Sequence, residues 1–184
     1  MMQGTEPTTT NMDLGNIPIS FRAFWVYDDD PDQNFALDIT DAHVAQGFTT
    51  NNNGAYNYHP LIQDGSANVS VTIGQAPSIE DLRDLGFTRA TALPLEVHSS
   101  KVRIDGSPGE EELGNTLQLA NGSYQMLIVE GLASANQVRI GIFLTPQLAP
   151  PPPETAANTF LLWDPSLGPA PTTLAPKAEL VPLD

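Results

Sequence analysis

Cysteine is absent from the 184 residues, which excludes disulfide frameworks, thiolate metal sites and thiol nucleophiles. Cations are scarce: 7 Lys and Arg stand against 22 Asp and Glu, a formal net charge of −15. A surface that tracks phosphates needs clustered Lys and Arg to replace released counterions. Seven scattered cations supply no such stripe, so nucleic acid is excluded as a direct ligand and anionic membranes are disfavoured. No apolar run is long enough to span a bilayer, and none follows a basic start in the manner of a secretory signal. The expectation from these two absences is a cytoplasmic protein. Also missing are a G-x-S-x-G elbow, a phosphate-cradling Gly loop and any close pair of histidines on one element.

What the chain does contain is an ordered apolar pattern. Hydrophobic residues make up 40% and charged residues only 16%, so the net charge reflects missing cations rather than a highly charged, disordered chain. Residues 1–16 show no period and read as a flexible arm. From Ile17 the pattern turns strand-like, with Ile17, Ile19, Phe21, Ala23, Trp25 and Tyr27 on one face and Ser20 and Arg22 on the other. Further alternations follow at Val69–Ile73, Leu93–Val97, Val102–Ile104, Leu117–Leu119, Tyr124–Ile128 and Val138–Leu144. Thr40 and Gly47 bracket one short helix; Ser78, in an S-x-x-D pattern, and Gly86 bracket a second. Asn121-Gly122 predicts a hairpin, because type I′ turns need positive φ at both central residues. The fold expected is mainly β: an antiparallel β-sandwich or barrel-like domain over residues 17–145, with one or two short helices.

Composition changes after Thr145. Ten of the 17 prolines lie from Pro146 onward, including Pro150 to Pro153 in a row, which predicts an extended Pro-rich C-terminal tail over residues 146–184. Phe160, Leu161, Leu162 and Trp163 form an isolated apolar cluster within it. Such a cluster either packs back over a sheet edge of its own domain or docks on a neighbour, in which case the tail is a self-association or assembly element of a larger structure such as a viral particle or surface appendage.

Catalytic and metal chemistry find no specific pattern. Asp28, Asp30, Asp32 and Asn34 have the alternate spacing of an EF-hand loop, but Gln33 and Ile39 stand where that loop needs Gly and a bidentate Glu. His43, His59 and His98 fall in separate segments, and Ser99 and Ser100 beside His98 do not make a triad by adjacency. No catalytic residue, metal site or cofactor is assigned, and the expectation is a protein that is not an enzyme. The acidic runs are another matter. Asp28, Asp29, Asp30 and Asp32 form one, Glu110, Glu111 and Glu112 a second, and Asp38 and Asp41 follow the first closely. Their dense negative potential suits a basic protein partner, and they are the candidate partner-binding residues; solubility alone is the competing explanation.

Several segments together resemble the competence protein J family. They are Ile19-Ser20-Phe21 through Phe24, Val26 and Tyr27, then Thr40-Asp41-Ala42-His43-Val44-Ala45-Gln46-Gly47-Phe48, then Arg89 to Val97, Val102-Arg103-Ile104, and Leu117 through Tyr124. The resemblance spans roughly residues 17–145 and departs from the family at Ile39, where a Trp is usual, and in the extra tail. It implies an inhibitor of a nuclease that handles incoming DNA, acting through protein contact. Joined to the charge, the resemblance implies that the domain blocks a basic nuclease groove by presenting carboxylates where DNA would lie.

Overall fold

The computed structural model describes residues 9–30, 33, 35–106, 115–148 and 154–181. Among the described residues the strands are β1 (Thr10–Ile19), β2 (Phe24–Asp28), β3 (Phe48–Thr50), β4 (Tyr56–Tyr58), β5 (Gly65–Ile73), β6 (Arg89–Val97), β7 (Lys101–Asp105), β8 (Asn115–Gln118), β9 (Gly122–Ser134), β10 (Gln137–Pro146) and β11 (Phe160–Leu162), of which β3, β4 and β11 carry no alternation in the sequence. They sort into two sheets, of order β1-β5-β10-β9-β6-β11 and β3-β4-β2-β7-β8. The inward residues of one sheet, among them Val69, Ile140, Met126 and Leu95, pack on Phe24, Val26, Tyr58 and Ile104 of the other. Period-2 alternation thus supplies the core between the sheets.

Each sheet also buries part of its outer face. Behind the first, Leu82 of the helix α2 (Ile79–Asp84) packs on Ala90, Ala92, Leu127 and Val129. Behind the second, Trp25 and Tyr27 pack with Leu37, Ala55 and Ala178. Double-sided burial explains why β2 reads as a continuous apolar run rather than an alternation.

The helix punctuation is read correctly from sequence. Helix α1 (Asp41–Gln46) starts after Thr40 and ends at Gly47, whose φ is +81°. At α2 the Ser78 hydroxyl accepts the Asp81 N–H at 3.1 Å. Other expectations are corrected. A third short helix, α3 (Ala156–Thr159), lies in the tail. The first sheet is mixed rather than antiparallel, because β10 runs parallel to β5. Asn121-Gly122 closes no hairpin: β8 pairs with β7 and β9 with β6 and β10, so this Gly carries the chain from one sheet to the other. The run from Ile17 to Tyr27 is two strands in different sheets, broken by a tight turn at Ser20–Ala23. Strand β1 already begins at Thr10, inside the expected arm. Pro150 to Pro153 lie outside the described residues.

Between the sheets sits one buried ion pair. Arg89 and Glu130 are cross-strand partners on β6 and β9, both 0% exposed, with Nη1 3.2 Å from Oε1. Burying two charges costs several kcal/mol each unless their remaining bonds are satisfied. Here Arg89 donates to His59 O at 2.7 Å and Gly47 O at 2.8 Å, both on the opposite sheet's side, and stacks 4.2 Å from the Tyr58 ring centroid. Glu130 accepts the Leu61 N–H at 2.7 Å and the Tyr58 hydroxyl at 3.0 Å. Burial pushes the Glu130 carboxyl above its usual range, and the Arg89 guanidinium and Leu61 N–H work against that push. A Cβ on Gly47 would stand 1.9 Å from Arg89 Nη2, so the position needs glycine for space as well as for its positive φ.

His59 completes this centre. Its Nδ1–H donates to Arg22 O at 3.3 Å and its Nε2 accepts the Thr49 hydroxyl at 2.9 Å, the pattern of a neutral ring. Burial lowers its pKa from 6.5 to about 4.

Three outcomes are expected. Arg89→Met should cost about 3–5 kcal/mol by urea denaturation, since it strands a buried carboxylate, and adding Glu130→Gln should recover about 2 kcal/mol of that. The unfolded chain takes up a proton at His59 as pH falls through 6.5, whereas the folded chain resists until about 4. Stability should therefore fall across that window by up to about 3 kcal/mol and then level, and His59→Gln should remove most of this slope. Deleting residues 154–184 strips Phe160, Leu162, Leu174 and Ala178 from the apolar clusters they complete, and should lower Tm by about 10 °C in a thermal melt.

Candidate functional site

Among the described residues, helix α1 and its approaches carry the most exposed of the predicted partner-binding carboxylates. Asp41 occupies the first turn of α1, where negative charge suits the helix N-terminus, and Asp38 precedes it; both are exposed. The tail adds a third acid. The Asp38 N–H donates to Glu179 O at 2.8 Å, and Leu37 bridges Leu180, so exposed Glu179 lies alongside. Sequence reasoning missed Glu179 because the contact spans most of the chain.

The turn after β2 divides in role. Asp28 is corrected: it is 3% exposed, and its Oδ1 accepts the N–H groups of His98 and Ser99, each at 3.2 Å, and the Ser99 hydroxyl at 2.8 Å. That carboxylate fastens the β6-to-β7 connection, where Ser100 has a positive φ, and is not available to a partner. Asp29 and Asp30 are half-buried. Asp30 lines a cleft of about 540 Å³ together with Glu96, Glu154, His98 and Lys177, over a floor that includes Tyr56. Burial first, and then the charges of Glu154 and Glu96, push the Tyr56 hydroxyl far above its ordinary value. Glu96 was legible only as an outward residue of an alternating strand.

Asp32, Glu110, Glu111 and Glu112 lie outside the described residues. The strand before the second acidic run, β7, ends at Asp105, opposite Trp25, whereas Asp28 pairs with Val102.

The Thr40-to-Phe48 segment performs a different task from the carboxylates. His43 Nδ1 accepts the Thr40 N–H at 3.0 Å, and its Nε2 bonds Pro176 O at 2.7 Å. Gln46 bonds Phe48 O at 2.8 Å through its amide nitrogen and accepts the Ala175 N–H at 3.0 Å. Gly47 O accepts Arg89. The motif therefore grips the tail with one face and the buried ion pair with its end. From the other direction the tail pairs β11 with β6, and Asp164 accepts the Thr88 hydroxyl. Burial raises the Asp164 carboxyl, but hydrogen bonds from Thr88 and Ser166 outweigh it and hold the pKa low. Of the four candidate tail-docking residues, Phe160, Leu162 and Trp163 are half-buried against their own domain, Phe160 edging Trp163 at 5.3 Å; Leu161 points outward.

Among the described residues, no group of three or more His, Asp or Glu is placed to hold a metal ion. No helix among them is long and apolar enough to cross a membrane.

Comparisons with known proteins place this arrangement. A search of curated proteins finds no significant match. Among solved structures, the chain is similar to ComJ from Bacillus subtilis, described as an inhibitor of the DNA-degrading activity of NucA: TM-score 0.61 at 14% identity, covering 77% of this chain and 100% of that one. It is also similar to the protein of crocagin biosynthetic gene J, with TM-score 0.52 at 12% identity, covering 77% and 99% respectively. At these identities the likeness is one of fold. The sequence itself matches the family described as competence protein J (ComJ) over residues 16–141, which includes β2 to β9 whole and parts of β1 and β10, and leaves out the gripping tail with β11. By that match, the chain belongs to the competence protein J family.

Proposed function

We propose that this protein inhibits a DNA-degrading nuclease by forming a stoichiometric protein complex with it. The carrying observation is the family match across residues 16–141, supported by a fold shared with the full length of a nuclease inhibitor. In this reading the carboxylates take the place of DNA phosphates on a basic enzyme surface. Support for that comes from the net charge of −15 and from the exposed Asp38, Asp41 and Glu179 at α1. Asp29 and Asp30 contribute from the turn after β2, and Asp32, Glu110, Glu111 and Glu112 are retained as candidates from sequence. Charges that mostly stay wet at an interface rim speed encounter more than they deepen affinity.

The test is inhibition of the DNA-degrading nucleases of the protein's own organism, titrated on double-stranded DNA. Activity should reach its floor near one inhibitor per enzyme, and raising salt from about 0.05 to 0.5 M should weaken inhibition as the charges are screened. The combined variant Asp38→Asn, Asp41→Asn and Glu179→Gln should slow association by about tenfold at low salt with little change in dissociation. Inhibition indifferent to salt and to these substitutions would count against charge mimicry while leaving a nuclease complex in place.

A further inference from the structure

The chain passes from β1 to β2 through a four-residue turn, Ser20–Ala23, closed by the Ala23 N–H to Ser20 O at 3.2 Å. Its two central residues, Phe21 and Arg22, both have φ of +54°. Turns that need the left-handed region twice are ordinarily filled by Asn-Gly or similar pairs, because a side chain there crowds the following carbonyl. Phenylalanine and arginine are strained choices.

Strain of this kind persists only where the surroundings over-determine it. Here three bonds do so: Phe21 N–H to Asp64 Oδ1 at 3.0 Å, Arg22 N–H to Gln63 O at 2.7 Å, and His59 Nδ1–H to Arg22 O. The backbone is thus clamped, and the clamped turn holds the Phe21 ring in water at 87% exposure. Phe21 belongs to none of the apolar clusters among the described residues. The fold bears both a strained backbone and a solvated aromatic at one residue and obtains no packing from it.

His59 also fixes where this turn stands. Its backbone N–H bonds Gly47 O at the end of α1, while its ring bonds Arg22 O. The turn is therefore tied to the Gly47 end of α1, while Asp41 stands in the first turn at the helix's other end. A solvated aromatic held on a clamped backbone is the kind of side chain that anchors an interface, with charges set apart from it.

We propose that Phe21 is the anchor by which this protein docks into an apolar pocket on the nuclease, an inference that rests on the reading of the protein as a nuclease inhibitor. The ring has two torsions and a clamped backbone, so little freedom is lost when a partner buries it. Arg22 and Asp64 leave the tip itself near neutral, which suits an apolar pocket. The acids at α1 govern encounter, and Phe21 governs residence time.

Phe21→Gly tests this cleanly, because glycine relieves the left-handed backbone and should leave Tm unchanged or higher. The expected result is a 10- to 100-fold loss of affinity for the inhibited nuclease, expressed as faster dissociation in surface plasmon resonance. Phe21→Asn, which also tolerates this backbone, should show the same loss. Wild-type affinity in both variants overturns the anchor and leaves the inhibitor reading intact. Failure of the wild-type protein to inhibit any nuclease of its organism overturns the inhibitor reading and the anchor with it. Loss of a wild-type self-associated form in size-exclusion chromatography, with nuclease affinity unchanged, also overturns the proposal, since the ring then serves a second copy of this chain.

Discussion

Arg89 and Glu130 meet on the inner face of the first sheet, fully out of water, and the rest of the structure is arranged so that this is tolerable. A buried ion pair survives when its spare donors and acceptors are met. Most of them are met here, the Arg89 Nε–H excepted, by partners from separated places: Gly47 at the end of α1, His59 at the end of β4, Tyr58 on β4 and Leu61 beyond it. Apolar packing between the sheets is non-directional and would tolerate a small slide of one sheet over the other. The guanidinium fork and the carboxylate do not, because each bond holds only at one relative placement.

The same centre explains why the Thr40-to-Phe48 segment is so specific in composition. Thr40, His43 and Gln46 each hold a side-chain bond that most residue types would lose, and Gly47 leaves the room that the Arg89 guanidinium fills. They join α1 to the buried pair at one end and to the tail at Ala175 and Pro176. The tail completes the other side, where Trp163 stands 5.9 Å from the Arg89 guanidinium and Phe160 packs near Phe48. An addition outside the family's matched span has thus become part of this protein's own packing, covering the β6 edge that would otherwise present unpaired backbone groups.

What remains outward is an uneven surface. Carboxylates at α1 project freely, Asp28 is turned inward to tie a neighbouring loop, and one aromatic ring is held out on a strained turn. The combination of diffuse charge and one rigid apolar point matches the division found at specific interfaces, where long-range fields steer approach and a few buried side chains set lifetime.

By itself the sequence determined much that depends on near neighbours: which central stretches alternate, where α1 and α2 begin and end, and how few cations the chain has. The residues of Thr40-to-Phe48 even carried the family. Only the tertiary structure decided how the strands pair. Asn121-Gly122 had the chemistry of a hairpin turn, yet its flanking strands found better partners elsewhere, and β10 joined β5 in parallel because a β-strand's pattern does not encode its neighbour or direction. Likewise nothing local distinguishes Asp28, folded inward onto the backbone of His98 and Ser99, from Asp41, left in solvent. Phe21 was placed with the core by its position in an alternating run. It lies outside because bonds from Gln63, Asp64 and His59, some 40 residues away, hold a turn that its own sequence would not choose.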